Sequence, residues 1–221
     1  MGQNSANLKK CRGRPQIRPD EETVSLIIQA AAAEFQANGF AAASMGNVAQ
    51  RAGISTKTMY RLIPNKADLF KHVMSERIGR FMLEADAEIQ ETQDLVTSLE
   101  HMLVAFGSLT LEKEAINLIR LVIAESDRFP ELAATFHNVA VVQSSEALLR
   151  WLKRQCQRGL VKVDDPVQAI SALRGMMTME LQRSAMLGHA EVPTPEIIKA
   201  RAKFCARLFL DGCRVDQRDQ L

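Results

Sequence analysis

A single tryptophan and a single tyrosine stand among 221 residues, aromatics make up only 5% of the chain, and just four cysteines are present. Cys11, Cys156, Cys205 and Cys213 form no Cys-x-x-Cys pair and have no histidine nearby. That spacing excludes a zinc framework and a dense disulfide scaffold, and favours reduced thiols. No apolar run approaches the roughly 20 residues of a membrane-spanning helix, and no apolar stretch follows the polar opening as a secretory signal requires. Met1-Gly2-Gln3-Asn4-Ser5-Ala6 lacks the hydroxyl that a myristoylation signal places at position six. A cytoplasmic protein with no membrane partner is expected.

Catalytic signatures are equally scarce. None of His72, His101, His137 and His189 has a glutamate three residues before it, and there is no His-Glu-x-x-His, Gly-x-Ser-x-Gly or phosphate-binding glycine loop. The expectation is a protein that is not an enzyme, with no catalytic residues, no metal and no cofactor.

Charge is nearly balanced at +2 overall, but it is unevenly placed. Residues 1–71 hold ten basic and five acidic side chains, whereas the remainder holds eighteen and twenty-one. The basic excess is therefore N-terminal. Residues 1–19 set Lys9, Lys10, Arg12, Arg14 and Arg18 among Gly13, Pro15 and Pro19, a composition that cannot pack a core and reads as a flexible arm.

From Asp20 the chain reads as helix after helix. Asp20 is placed to cap, Glu21 and Glu22 suit a first turn, and Val24, Ile28, Ala31 and Phe35 recur at helical spacing until Asn38-Gly39. Ser44 and Ser55 look like successive N-caps of two short helices, and a long amphipathic helix follows from Lys66 to about Gln90. Breaks at Phe129-Pro130, Gly159, Asp165-Pro166, Gly188 and Pro193-Thr194-Pro195 predict helices over 94–109, 112–126, 130–158, 166–188 and 194–213. The fold class is all-α.

Residues 45–64 have a specific physical logic. Two short helices crossing steeply need a small residue at their closest approach, which Ala49 supplies, and a turn with positive φ, which Gly53 accepts without strain. Val48, Ala52, Ile54, Met59 and Leu62 are apolar where the geometry points inward. The second helix then turns Thr56, Lys57, Tyr60 and Arg61 outward, with Thr58 near the edge: a helix-turn-helix with a polar recognition face. Candidate DNA contacts are Ser44, Met45, Ser55, Thr56, Lys57, Thr58, Tyr60 and Arg61, with Arg12, Arg14 and Arg18 of the arm. Lys66 opens the next helix, where the dipole disfavours a cation, and a nearby phosphate would offset that cost.

At these residues the chain resembles the TetR/AcrR family of bacterial transcriptional regulators. The resemblance rests on Ala49 to Phe70, above all Gly53-Ile54-Ser55, Thr58-Met59-Tyr60 and Lys66-x-x-Leu69-Phe70, behind a helix ending in Phe35 and Gly39-Phe40. Four positions depart from the family's habit: Leu62-Ile63 replaces a histidine and an aromatic, Lys57 replaces a small residue, and Gly46 replaces a charged one. They bear on which operator is read. Ile119 to Ala133 is similar to the AefR-like C-terminal domain of some family members. The resemblance implies a two-fold dimer through a four-helix bundle.

The resulting expectation has a basic arm over 1–19, a three-helix DNA-binding domain over 20–66 and a helical effector-binding and dimerisation domain over 67–221. Its partners are double-stranded operator DNA, a second copy of the chain and a small, largely apolar effector, with repression of a palindromic operator as the function. The alternative is a helical interaction module without DNA binding. The helix over 166–188 is apolar on most of its circumference and must be buried on more than one side. Ile170, Leu173, Met177, Phe204 and Leu208 are the candidate dimer contacts. Ten methionines suit an adaptable lining, so Met102, Phe106, Leu118, Val122, Phe136, Trp151, Met176 and Met179 are the candidate effector contacts.

Overall fold

The acidic run Asp20-Glu21-Glu22 does open a helix, but Pro19 occupies the cap position, and its carbonyl accepts from the Thr23 hydroxyl at 3.0 Å. Asp20 sits in the first turn, where a carboxylate complements the helix dipole. This helix, α1 (Asp20–Ala42), begins the part of the chain described by the structure, a computed structural model covering residues 18–90 and 94–213. Its buried stripe is Thr23, Ile27, Ala31, Glu34 and Phe35, with Val24 and Ile28 only half-buried. Ala31 and Phe35 lie on the buried stripe as expected, while in the first two turns Thr23 and Ile27 replace Val24 and Ile28. Regular α-geometry stops at Gly39, whose φ of 72° requires a residue without Cβ strain.

After α2 (Met45–Arg51) and α3 (Thr56–Leu62) comes the long α4 (Lys66–Gln90), then α5 (Leu95–Leu111), α6 (Lys113–Glu125) and α7 (Pro130–Phe136). A π-helical turn, His137–Val142, joins α7 to α8 (Gln143–Gln157), so the single helix expected over 130–158 contains a widened segment. Pro166 and Pro195 each stand at the first position of α9 (Pro166–Met186) and α10 (Pro195–Cys213), where the missing N–H costs nothing. Asp165 caps α9 through the amides of Val167 and Gln168. Among the described residues no helix is long and apolar enough to cross a membrane.

Two hydrophobic clusters carry the molecule, and α4 runs through both. The first gathers Ile27, Phe35, Phe40, Met59, Ile63 and Phe70 with Val122, Leu132 and Val139 of the C-terminal helices. Phe129 stacks edge-on against Phe40 at 5.2 Å, so the core beneath α1–α3 is closed from the C-terminal side. The second cluster centres on Trp151, whose indole N–H donates to Ser98 Oγ at 2.8 Å, a buried polar contact that satisfies both groups. α10 packs most closely on α5, because Gly107 leaves room for Ile198 and Met177.

Three expected dimer contacts are corrected here. Ile170, Leu173 and Met177 are buried in the chain's own second cluster, so the α9 face they occupy is not a surface. Cys156, Cys205 and Cys213 are free thiols; burial raises Cys205, and burial with Cys156 nearby pushes Cys213 up to about 11, which disfavours the thiolate. Cys11 lies outside the described residues.

Candidate nucleic-acid interface and ligand cavity

The two short helices are built as their caps predict. Ser44 Oγ accepts from the Asn47 amide at 3.0 Å and Ser55 Oγ from the Thr58 amide at 3.1 Å, each satisfying an otherwise orphaned N–H. Gly53 takes φ 68°, and the Ile54 amide returns to the Ala49 carbonyl at 3.0 Å to close the turn. Met59 is fully buried and anchors α3, while the second apolar anchor is Ile63 rather than Leu62, which is half-buried.

With Met59 and Ile63 inward, Thr56, Lys57, Tyr60 and Arg61 face solvent. Tyr60 is 54% exposed, an unusual state for an aromatic that contributes nothing to the core there. Thr58 is half-buried and its hydroxyl lies 2.9 Å from that of Ser55, so it belongs to the cap. Ser44 is exposed, whereas Met45 is buried at 8% and contributes its side chain to the core; that corrects Met45 as a side-chain contact. Arg18 is exposed just ahead of α1, and Arg12 and Arg14 lie outside the described residues.

Lys66 is also corrected. Its ammonium donates to the carbonyls of Phe40, Ala41 and Ala43 at 2.7, 3.1 and 3.0 Å and sits 4.8 Å over the Phe40 ring. The cation that is poorly placed for α4 is well placed for the carbonyl-rich end of α1, so that helix end supplies the negative partner expected of a phosphate. Burial holds its pKa below the usual lysine range, with Glu125 acting in the opposite direction.

Two polar groups that single-helix patterns did not reveal set the orientation of this unit. Glu34, 2% exposed on α1, accepts from Asn47 Nδ2 at 3.0 Å and lies 3.5 Å from Arg51 Nε, bracing α2 at both ends. Arg61 is paired through both guanidinium arms with Asp20, and that hydrogen-bonded pairing raises its pKa further.

In the C-terminal half a cavity of about 180 Å³ lies among α4, α5, α6, α9 and the π-helical turn. Of the eight expected effector contacts, Phe106, Leu118 and Phe136 line it. Met102 and Trp151 are sealed in the second cluster, Val122 in the first, Met176 packs at the second cluster's margin and Met179 is 59% exposed. The α9 residues at the cavity are Arg174, Thr178 and Gln182, one helical turn apart, which rotates the methionines away. Arg77 of α4 lines this cavity and a second one, of about 470 Å³, between α1, α4 and α6. The sequence signal for Arg174 was its charge within the otherwise apolar middle of α9.

Comparison with known proteins decides the family. Residues 97–212 match the AefR-like transcriptional repressor C-terminal domain, and residues 27–73 match the bacterial regulatory proteins of the tetR family. The chain belongs to the TetR family. Such proteins are transcriptional regulators and not enzymes. Among curated protein sequences there is no match. The TetR-family fold is shared with a protein from Mesorhizobium loti MAFF303099 assigned to that family, at 24% identity and TM-score 0.78 over 90% of this chain and 100% of that one. It is shared with the flavonoid-responsive regulator FrrA, at 24% identity and TM-score 0.67 over 88% and 98%. SmeT, the repressor of the Stenotrophomonas maltophilia multidrug efflux pump SmeDEF, matches at 20% identity and TM-score 0.63 over 90% and 94%.

Proposed function

We propose that this TetR-family regulator is a homodimeric repressor that holds a palindromic operator and releases it when a small effector enters the cavity bounded by α4. The observation that carries this reading is the double duty of α4. Its first residue, Lys66, is bonded to the end of α1, while Met74, Arg77 and Ile78 further along the same helix line the cavity. A ligand that shifts α4 therefore shifts the helix-turn-helix with it, provided it binds the displaced state more tightly.

Thr56, Lys57 and Tyr60 form the reading face, with Arg61 beside them and the arm holding phosphates. Dimerisation is supported by α10, where Ile197, Phe204 and Leu208 are 46%, 58% and 51% exposed on one stripe opposite the buried Ala206 and Leu210. Two structural neighbours, a flavonoid-responsive regulator and an efflux-pump repressor, fit the same reading.

The test is selection of binding sites from random duplex DNA with the full-length protein. The expected product is an approximate palindrome with half-sites about 34–36 Å apart, bound by two chains, with affinity falling steeply in salt. Failure to enrich any sequence, or an affinity indifferent to salt, would instead support an interaction module.

A further inference from the structure

The cavity bounded by α4 is apolar in its body and cationic at one side. Phe106, Leu118 and Phe136 supply the body, whereas the charged lining residues are Arg77 and Arg174, with no aspartate or glutamate on the wall. Both are half-buried, and a guanidinium that has lost part of its hydration is costly without a counter-charge. Arg174 has no carboxylate within ion-pair distance among the described residues. Its Nη1 donates to Ser145 Oγ, its guanidinium lies 5.3 Å over the Phe106 ring, and its buried Nε has no acceptor among the described residues. Burial lowers the pKa of Arg174 and of Arg77; Glu112 and Glu114 offset this at Arg77 alone. Both arginines remain charged at neutral pH.

The other polar groups on the wall are already committed. The hydroxyls of Ser144, Thr178 and Thr110 donate to the carbonyls of Ala140, Arg174 and Phe106, and Gln182 Nε2 donates to the Thr110 carbonyl. The buried donor on this wall left without a partner among the described residues is therefore cationic, Arg174 Nε. Part of the wall is the π-helical turn, a backbone form that recurs at functional sites and here brings Ala140 and Val141 to the cavity. An apolar space of about 180 Å³ is a little larger than a cavity of about 150 Å³ that accommodates benzene, so one ring and a short substituent fit.

We propose that the effector is a small carboxylic acid, bound as its anion, with the carboxylate on Arg174 beside Arg77 and an apolar body against Phe106, Leu118 and Phe136. This rests on the reading of the cavity as the effector site. It narrows the effector from an apolar molecule to an amphipathic anion, because only an anion supplies the acceptor and counter-charge that Arg174 lacks.

Calorimetric titration of the full-length protein at pH 7 with phenylacetate and with phenylacetamide separates charge from shape. The acid is expected to bind at least about tenfold more tightly than the amide, as a charge-assisted contact in place of a neutral one implies, and to weaken operator binding. Arg174→Gln should abolish the preference while leaving amide affinity within about twofold, and Arg174→Lys should keep part of it. Equal binding of acid and amide by the wild-type protein, or an undiminished preference in Arg174→Gln, overturns the anion inference and leaves the cavity as an effector site. Binding of neither overturns both. Should Arg174→Gln lose its helical circular dichroism, the wild-type comparison decides alone.

Discussion

Arg61 on the recognition helix grips Asp20 at the start of α1, Nη1 to Oδ2 at 2.9 Å and Nη2 to Oδ1 at 2.7 Å. The pair joins α3, the proposed reading helix, to the first turn of α1, and it sets a carboxylate at the edge of the proposed DNA-facing surface. A bidentate guanidinium–carboxylate pair has the geometry that a guanine edge or phosphate would otherwise claim. If Arg61 contacts DNA as proposed, Asp20 would compete with DNA for it.

Replacing Asp20 by asparagine should strengthen duplex binding and steepen its salt dependence by about one phosphate contact. Both side chains are exposed, so thermal stability should hardly change. Fluorescence anisotropy across a salt series measures it; an unaltered slope and affinity would mean that Arg61 serves only to tether α1.

Glu34 makes a prediction with a pH signature. The Asn47 hydrogen bond, then Asn38, the Arg51 charge and the Ser44 amide hold its carboxyl below the ordinary value of 4.5, with burial working the other way. A carboxyl whose folded pKa is depressed contributes stability that is complete above the unfolded value and is lost as pH falls through the folded one. Glu34→Gln should thus lower stability by about 1–2 kcal/mol at pH 7, and the deficit should shrink below the ordinary value of 4.5. Urea midpoints at pH 7 and pH 3 test it: equal deficits at both would show that charge plays no part in bracing α2.

The features that sequence reading anticipated are those decided by local backbone chemistry. Ser44 and Ser55 cap, Gly53 turns with φ 68°, and Pro130, Pro166 and Pro195 open helices, because each choice is made within a few residues. Contacts between distant segments left no such mark: Glu34 with Asn47, Arg61 with Asp20, and Arg120 of α6 donating to the Ala185 and Met186 carbonyls that end α9. Rotational phase was equally hidden. A helix apolar on most sides, such as α9, has no face that names its partner, which is why Ile170, Leu173 and Met177 proved to be core and Arg174 proved to face the cavity. The same reason left only Phe106, Leu118 and Phe136 of the expected effector contacts at the wall.

Gly107 and Gly79 should respond to alanine with opposite signs. A Cβ at Gly107 would stand 2.5 Å from Ile198 Cγ2 and 2.7 Å from Met177 Cε, and while the methionine end can swing away, a β-branched methyl cannot. Overpacking of this kind costs about 1–3 kcal/mol, exceeding the roughly 1 kcal/mol gained in helix propensity. A Cβ at Gly79 meets nothing within 4 Å, so that substitution should stabilise by about 0.5–1 kcal/mol. Thermal melts of the two variants decide it, and a stabilised Gly107→Ala would contradict the close α5–α10 approach.

The last prediction separates a dimer face from a core face on neighbouring helices. Phe204 and Leu208 are 58% and 51% exposed in the single chain, whereas Ile170 is 3% exposed. A charge on an exposed apolar stripe costs the monomer little, yet it is unpaired and desolvated once a second copy covers it. Phe204→Glu combined with Leu208→Glu should leave helical content intact and shift sedimentation from dimer to monomer. One recognition helix then binds alone, and loss of the second site should weaken operator affinity by about a hundredfold or more. Ile170→Ala should do the reverse, lowering stability by about 2–4 kcal/mol through a cavity in the core while leaving the folded fraction dimeric. A double variant that sediments as a dimer would move the interface off α10, and a monomer with undiminished affinity for a palindrome would separate dimerisation from DNA recognition altogether.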